Sequence, residues 1–194
     1  HAEPMKQGLD LRGGVHFLLE VDIESVVDRR YEGMMKSIGQ DLREAGIRYA
    51  GVRYVKEKGI NVRFRDEQAM ENALTELRQK LPSVEFSRLK DVNGINVALT
   101  AAELNTIRQN TIDQTMSILR NRVNELGVGE AVVQQQGATR VAVDLPGIQD
   151  AARAKQILGG TATLQFHMVD QENDPQIAKQ TGAVPIDSKL YIDR

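Results

Sequence analysis

The two halves of the chain carry the same succession of hydrophobicity patterns, displaced by about 80 residues. The segment INVRF at 60–64 corresponds to RVAVD at 140–144, and REAGI at 43–47 corresponds to NELGV at 124–128. A nearly fixed offset, with glycine at equivalent helix ends, predicts an internal duplication. The sequence therefore favours a fold built from two similar units.

Each half reads as a strand, a helix, a two-stranded hairpin, a second helix and a last strand. Apolar and polar residues alternate over 15–22, which predicts a strand with one buried face. Helical spacing of apolar residues over about 25–45 predicts the first helix. Caps, stops and turn signals predict the boundaries between elements; they are Gly46, Asp66, the Asn93-Gly94 pair, the Thr100 and Glu103 capping box, Gly127 and Gly137.

This order is βαββαβ, the ferredoxin-like unit, so we predict an α+β fold with two antiparallel sheets and helices on one face of each. The predicted domains are a leading segment 1–14, a first unit 15–98, a second unit 99–170 and a further segment 171–194. One alternative stays open, because either strand 15–22 or strand 95–99 can supply the first strand of the second unit.

Alternation also predicts which side chains lie on each face of the sheets. The helix-covered face is predicted to hold Phe17, Leu19, Val62, Phe64, Val141, Val143, Leu164 and Phe166. The open face is predicted to show His16, Glu20, Asn61, Arg63, Arg140, Asp144, Gln165 and His167. An antiparallel sheet tolerates one polar face, and such a face can receive another domain or an extended chain.

Composition argues against several classes of function. The chain has no cysteine and only three histidines, none at helical metal-ligand spacing, so we expect no metal site. Nucleotide loops and nucleophile elbows are absent from the sequence, and we expect no catalytic residues and no cofactor. Net charge is −2 and aromatic residues are 4%, which disfavours nucleic-acid binding. No apolar run approaches the roughly 20 residues of a membrane helix.

The segment GLDLRGG at 8–14 precedes a strand, whereas a phosphate-binding glycine loop follows a strand and opens a helix. We therefore interpret it as a bend, in which Gly13 or Gly14 adopts backbone angles that other residues avoid. We also hypothesise that Asp10 and Arg12 tie this bend to neighbouring elements.

Three motifs in order, GLDLRGG at 8–14, RNRVNELGV at 120–128 and VDLPGI at 143–148, resemble the SecD family of the bacterial Sec export machinery. The resemblance covers about residues 3–170. Segment 26–98 is similar to the extra stretch of the longer, proteobacterial-type members. Short members join the first strand almost directly to the long helix, which favours an inserted first unit over a tandem one.

The resemblance implies a periplasmic domain of a bacterial inner-membrane protein of the RND superfamily, with SecF and the Sec channel as partners. The chain would match the ferredoxin-like base of the first periplasmic domain, and 171–194 would begin its mobile head, cut short. We therefore expect a soluble piece of a longer protein that supports proton-gradient-driven export without enzymatic activity and that contacts the unfolded polypeptide in transit.

The expected residue roles follow from the motif and from the open face. The family motif, with a structural or hinge role, is Gly8, Asp10, Arg12, Gly13 and Gly14. The expected partner-contact face is His16, Arg63, Arg140, Gln165 and His167. Two alternatives stay open: a periplasmic domain of another RND-type exporter, and a stand-alone regulatory domain that binds a small molecule.

Overall fold

The computed structural model describes residues 13–125, 127–159 and 164–167, with the backbone alone at 164–167 and at Ile157. The chain divides into two compact units. Residues Ile23–Gln109 form one, which we call the inserted unit. His1–Asp22 together with Asn110–Arg194 form the other, which we call the split unit.

The split unit has the ferredoxin-like arrangement. Its elements are β1 (Gly14–Val21), α3 (Ala101–Glu125, of which the part from Asn110 belongs here), β6 (Val132–Gln136), β7 (Arg140–Pro146), α4 (Ala151–Leu158) and β8 (Leu164–His167). The antiparallel sheet has the order β6-β7-β1-β8. Strand 15–22, whose place the sequence left open, therefore lies at the centre of this sheet.

The inserted unit interrupts the split unit between β1 and α3. Its complete elements are α1 (Ile23–Glu44), β2 (Gly51–Val55), β3 (Gly59–Arg63), α2 (Glu67–Lys80), β4 (Val84–Arg88) and β5 (Gly94–Leu99). The antiparallel sheet has the order β2-β3-β5-β4. The two-unit α+β fold with an insertion is thus confirmed.

The chain order of the inserted unit differs from the predicted βαββαβ. Its first strand is missing from the N-terminal end because β1 pairs with β7 and β8. Strand β5 instead folds back from β4 and occupies the central position beside β3. The observed units accordingly replace the predicted ranges 15–98 and 99–170, since sheet pairing joins segments that are distant in sequence.

Each unit buries its own apolar residues. In the inserted unit, Ile38 and Leu42 of α1 and Leu77 of α2 are fully buried with strand residues such as Ile60 and Val97. In the split unit the buried set is Leu19, Val21, Ile112, Leu119, Val123, Val141, Ala142, Val143, Leu145, Ala154 and Leu158. Burying apolar side chains on one face of each sheet is the main stabilising contribution to both units.

Two predicted local signals are altered in the structure. Asn93-Gly94 does not form the turn of its hairpin: Asp91 has the left-handed φ of 61°, and Gly94 begins β5. The predicted capping box is half formed, because the Thr100 Oγ1 accepts the Glu103 N–H at 3.1 Å. The Thr100 N–H instead donates to the Ser83 carbonyl at 3.2 Å.

Among the described residues, no helix is long and apolar enough to span a bilayer. The leading residues 1–12 and the segment 171–194 lie outside the described residues, as does the first part of the strand predicted around TATLQFHMV.

Candidate interaction surfaces

Gly13 and Gly14, the last two residues of the GLDLRGG motif, lie where the chain enters β1 beside the end of β7. Gly13 has a φ of 67°, and its carbonyl accepts the Gly147 N–H at 2.9 Å. Gly14 then begins β1 directly opposite Pro146 of β7. The predicted backbone role is confirmed at Gly13, where a Cβ would meet no atom within 4 Å, so the angle alone favours glycine. Gly8, Asp10 and Arg12 lie outside the described residues.

The strand register defines the open face of the split unit, which we call the split-unit open face. Residues that pair directly across an antiparallel sheet share a face. The register gives three rows: Val132, Asp144 and His16; Gln134, Ala142, Leu18 and His167; Gln136, Arg140, Glu20 and Gln165. This face is therefore mostly polar, with the half-buried Leu18 and the buried Ala142 at the centre of its middle row.

Two polar side chains on this face are in direct contact. The His16 Nδ1 lies 2.5 Å from the Asp144 Oδ1, and the two residues are register partners. The His16 side chain is 46% exposed and that of Asp144 is 22% exposed. Glu20 occupies the register position opposite Arg140. Cross-strand pairs of this kind stabilise a sheet by about 0.2–1 kcal/mol each, so these residues already have a structural role.

The expected partner-contact face is divided between two sheets. His16 and Arg140 lie on the split-unit open face, and the register places Gln165 and His167 at positions on the same face. Arg63 lies in β3 of the inserted unit, paired with Gly51 and Gly94, and is exposed. The predicted single face is thus corrected, because period-two alternation indicates a face but not the sheet to which each strand belongs.

The open face of the inserted unit is also polar. Asn96 Nδ2 donates to the Asn61 Oδ1 and to the Lys58 carbonyl, each at 2.9 Å. Arg53 pairs with Asn61 in the register and is exposed. The Asn96 side chain is thus hydrogen-bonded within this face, as partly buried polar groups usually are.

Sequence reasoning missed a groove in the inserted unit. The groove has a volume of about 690 Å³ and is lined by Arg43, Gly46, Ile47, Arg48, Tyr49 and Arg65. We call it the arginine groove. Its arginines come from the last turn of α1, from the loop before β2 and from the residues after β3. No sequence signal indicates it, because only the tertiary fold brings these segments together.

A second feature of the inserted unit is a pair of stacked tyrosines. The rings of Tyr31 and Tyr54 lie 4.9 Å apart between centroids. The Tyr54 hydroxyl donates to the Asp28 Oδ1 at 2.5 Å, and the Leu99 N–H donates to the Tyr31 hydroxyl oxygen at 2.9 Å. Burial, followed by the hydrogen bond to Asp28, raises the pKa of Tyr54. These contacts tie α1 to two strands and indicate a structural role.

Among the residues that the structure describes, no group of three or more His, Cys, Asp or Glu side chains is placed to hold a metal ion.

Comparison with known proteins finds similarity to SecD protein translocase subunits. Residues 112–171 match the family model of the protein translocase subunit SecDF, P1 domain, N-terminal part, and residues 3–22 match the SecD/SecF GG motif. The chain is 48% identical to the protein translocase subunit SecD of Escherichia coli K12 over 98% of its own length. It is 42% identical to SecD of Haemophilus influenzae and 31% identical to SecD of Aquifex aeolicus, over 100% and 98% of its length.

These matches cover only part of each relative: 31% of the Escherichia coli and Haemophilus influenzae proteins and 36% of the Aquifex aeolicus protein. No solved structure gives a significant match. The GG motif match includes the bend at Gly13, and the P1-domain match includes α3, β6, β7 and α4 from residue 112 onward. The resemblance inferred from the three motifs is thereby confirmed: nearly the whole chain is similar to part of the SecD protein translocase subunits.

Proposed function

We propose that this chain is the periplasmic base of a SecD subunit and acts as a non-enzymatic framework during protein export driven by the proton gradient. In this role it transmits motion to SecF and the Sec channel and contacts the polypeptide in transit. The observation that carries the proposal is the similarity, over nearly its whole length, to proteins named protein translocase subunits. Two other functions were considered, a domain of a small-molecule exporter and a regulatory domain that binds a ligand. No observation on the described residues specifically favours either of them.

The construction of the units supports a mechanical role. Each unit has a four-stranded antiparallel sheet with its own buried apolar residues. Closely packed units of this kind resist internal deformation, so a displacement applied to one part is carried by the unit as a whole.

The bend at Gly13 supports a hinge or anchoring role for the GG motif. Its hydrogen bond to Gly147 joins the start of β1 to the chain that leaves β7. We propose that Gly8, Asp10 and Arg12 extend this anchorage towards the preceding chain. Arg12→Ala is expected to lower export or the stability of the domain. Unchanged export together with unchanged stability would rule the anchoring role out.

The split-unit open face is the proposed contact face for a partner or for the substrate. It is mostly polar, its Gln134 is exposed, and its central row contains the half-buried Leu18. Transient protein interfaces are about as apolar as the rest of the protein surface. A mostly polar face of this kind is therefore compatible with such an interface.

Site-specific photo-crosslinking in the full-length protein tests the proposed contact. The crosslinker is placed at Gln134 on the split-unit open face and at Arg63 on the open face of the inserted unit. Asn121, exposed on α3, is the control position in the same unit as Gln134. Crosslinks from Gln134 to a polypeptide in transit, or to SecF or the channel, support the proposal. Yields equal to those from Asn121 would contradict it.

A further inference from the structure

The arginine groove holds one arginine in place and leaves its remaining donors available. The Arg43 Nη1 donates to the Tyr49 hydroxyl oxygen at 2.7 Å. The Tyr49 hydroxyl lies 3.5 Å from the Gly39 carbonyl oxygen. A Cβ built at Gly39 would lie 3.2 Å from the Tyr49 hydroxyl oxygen. The glycine therefore lets Tyr49 lie against α1. A guanidinium carries five N–H donors, so Arg43 can contact a further acceptor while it is positioned by Tyr49.

The other two arginines carry charge that the described part of the protein does not neutralise. Arg48 and Arg65 are exposed and form no hydrogen bond or ion pair with another described residue. Four other cations of the same unit do have a carboxylate partner; they are Arg30 with Glu103, Lys56 with Glu24, Lys80 with Asp41, and Arg88 with Glu71. No acidic residue lines the groove. The groove thus presents the positive charge of three arginines.

We propose that the arginine groove binds an acidic segment of an extended polypeptide through the carboxylates of its aspartate and glutamate side chains. A planar guanidinium matches a carboxylate with two parallel hydrogen bonds, which a lysine cannot make. The proposal deepens the proposed function, on which it rests, by naming the polypeptide chemistry that the inserted unit recognises.

The neighbouring strand supports an extended chain as the occupant. Tyr49 of the groove lies two residues before β2, and β2 is an edge strand whose sheet neighbour is β3. An edge strand offers backbone donors and acceptors to an incoming extended chain. A chain that pairs with β2 could therefore place acidic side chains near Arg48.

An anionic membrane fits the groove less well. Surface-binding segments combine basic residues with exposed apolar side chains that enter the lipid. The exposed large apolar residues in the described structure are Val92, Ile118 and Val132, and none of them lines the groove.

The test measures peptide binding to this chain by nuclear magnetic resonance. The probe is an acetylated peptide of alternating glutamate and serine, and its matched control contains glutamine in place of glutamate. We expect the glutamate peptide to shift the amide signals of 43–49 and of β2, and the glutamine peptide to leave them unchanged. The shifts should vanish in about 1 M NaCl, where the Debye length falls to about 3 Å.

The variant Arg48→Gln/Arg65→Gln should weaken the glutamate peptide about tenfold or more, because two charge-assisted contacts are lost. Arg78→Gln is the matched control, since Arg78 is exposed on α2 of the same unit, lies outside the groove and has no partner among the described residues. It should bind like the parent chain. Equal weakening by both variants, or equal binding of both peptides, would overturn the proposal.

The last experiment measures binding of the chain to vesicles of phosphatidylethanolamine and phosphatidylglycerol. Retention on these vesicles that depends on Arg48 and Arg65, without binding of the glutamate peptide, would assign the groove to a membrane and overturn the proposal. The outcome is independent of the crosslinks from Gln134, which test the proposed function in the other unit. Each proposal can therefore fail without the other.

Discussion

Gly59, at the start of β3, is the glycine at which the structure predicts the largest penalty for a side chain. Its φ is 101°, and a Cβ built there would lie 2.4 Å from the Val97 carbonyl oxygen and 3.2 Å from the Ala98 Cα. Both atoms belong to the backbone of β5, the strand beside β3. They cannot move away as a flexible side chain could, so Gly59→Ala must separate two central strands or distort the turn.

The expected cost has two parts. A non-glycine residue in an unfavourable positive-φ conformation costs about 1–3 kcal/mol. Inserting a methyl group where there is no space costs about 1–3 kcal/mol more. Gly59→Ala should therefore lower the free energy of unfolding by about 2–6 kcal/mol, a large share of the 5–15 kcal/mol typical of a domain.

Gly46 provides the matched control in the same unit. Its φ is 70°, but a Cβ there would meet no atom within 4 Å. Gly46→Ala should therefore cost only the backbone term, about 1–2 kcal/mol. The difference between the two variants measures the steric term at Gly59.

Urea unfolding followed by tyrosine fluorescence is a suitable assay. The chain has no tryptophan, and three of its four tyrosines, Tyr31, Tyr49 and Tyr54, lie in the inserted unit. Gly59→Ala should lower the urea midpoint by about 1 M or more. If it costs no more than Gly46→Ala, the inferred contact with β5 is absent and the reasoning fails.

Three further predictions concern stability. Gly13→Ala should destabilise the split unit by about 1–2 kcal/mol because of its φ of 67°, and circular dichroism in urea should show Gly13→Asn closer to the parent chain. Thr100→Ala removes the cap on the Glu103 N–H and should cost about 1 kcal/mol in the same assay; no change would exclude the cap as a stabilising contact. The raised pKa of Tyr54 predicts a pH effect: above about pH 10 the unfolded state loses this proton while the folded state keeps it, so stability should fall as pH rises. Tyr54→Phe should show a weaker alkaline loss in thermal melts, and an unchanged loss would contradict the assignment.

Local signals in the sequence predicted elements well because their causes are local. Asp66 was predicted to cap a helix, and its Oδ1 accepts the Ala69 N–H at 2.8 Å. Gly46 and Gly127 were predicted as helix stops, and both have a positive φ near 70°. A cap or a stop depends on a few consecutive residues, so its signal survives without knowledge of the fold.

Signals that depend on packing were read less accurately. The Asn93-Gly94 pair suggested a tight turn, but glycine is needed at 94 for another reason. A Cβ there would lie 2.9 Å from both the Val62 carbonyl oxygen and the Leu89 Cδ1. In the sequence, a glycine required by the close approach of a neighbouring strand looks the same as a glycine required by a turn.

By itself, the sequence determined the duplicated α+β pattern, the buried faces of the strands and the SecD motifs, because periodicity and caps act over short distances. The tertiary structure decided which strands share a sheet. It placed β1 between β7 and β8 and moved β5 to the centre of the inserted unit. It also brought Arg43, Arg48 and Arg65 into one groove. Each of these arrangements depends on contacts between segments far apart in the chain, which local patterns do not encode.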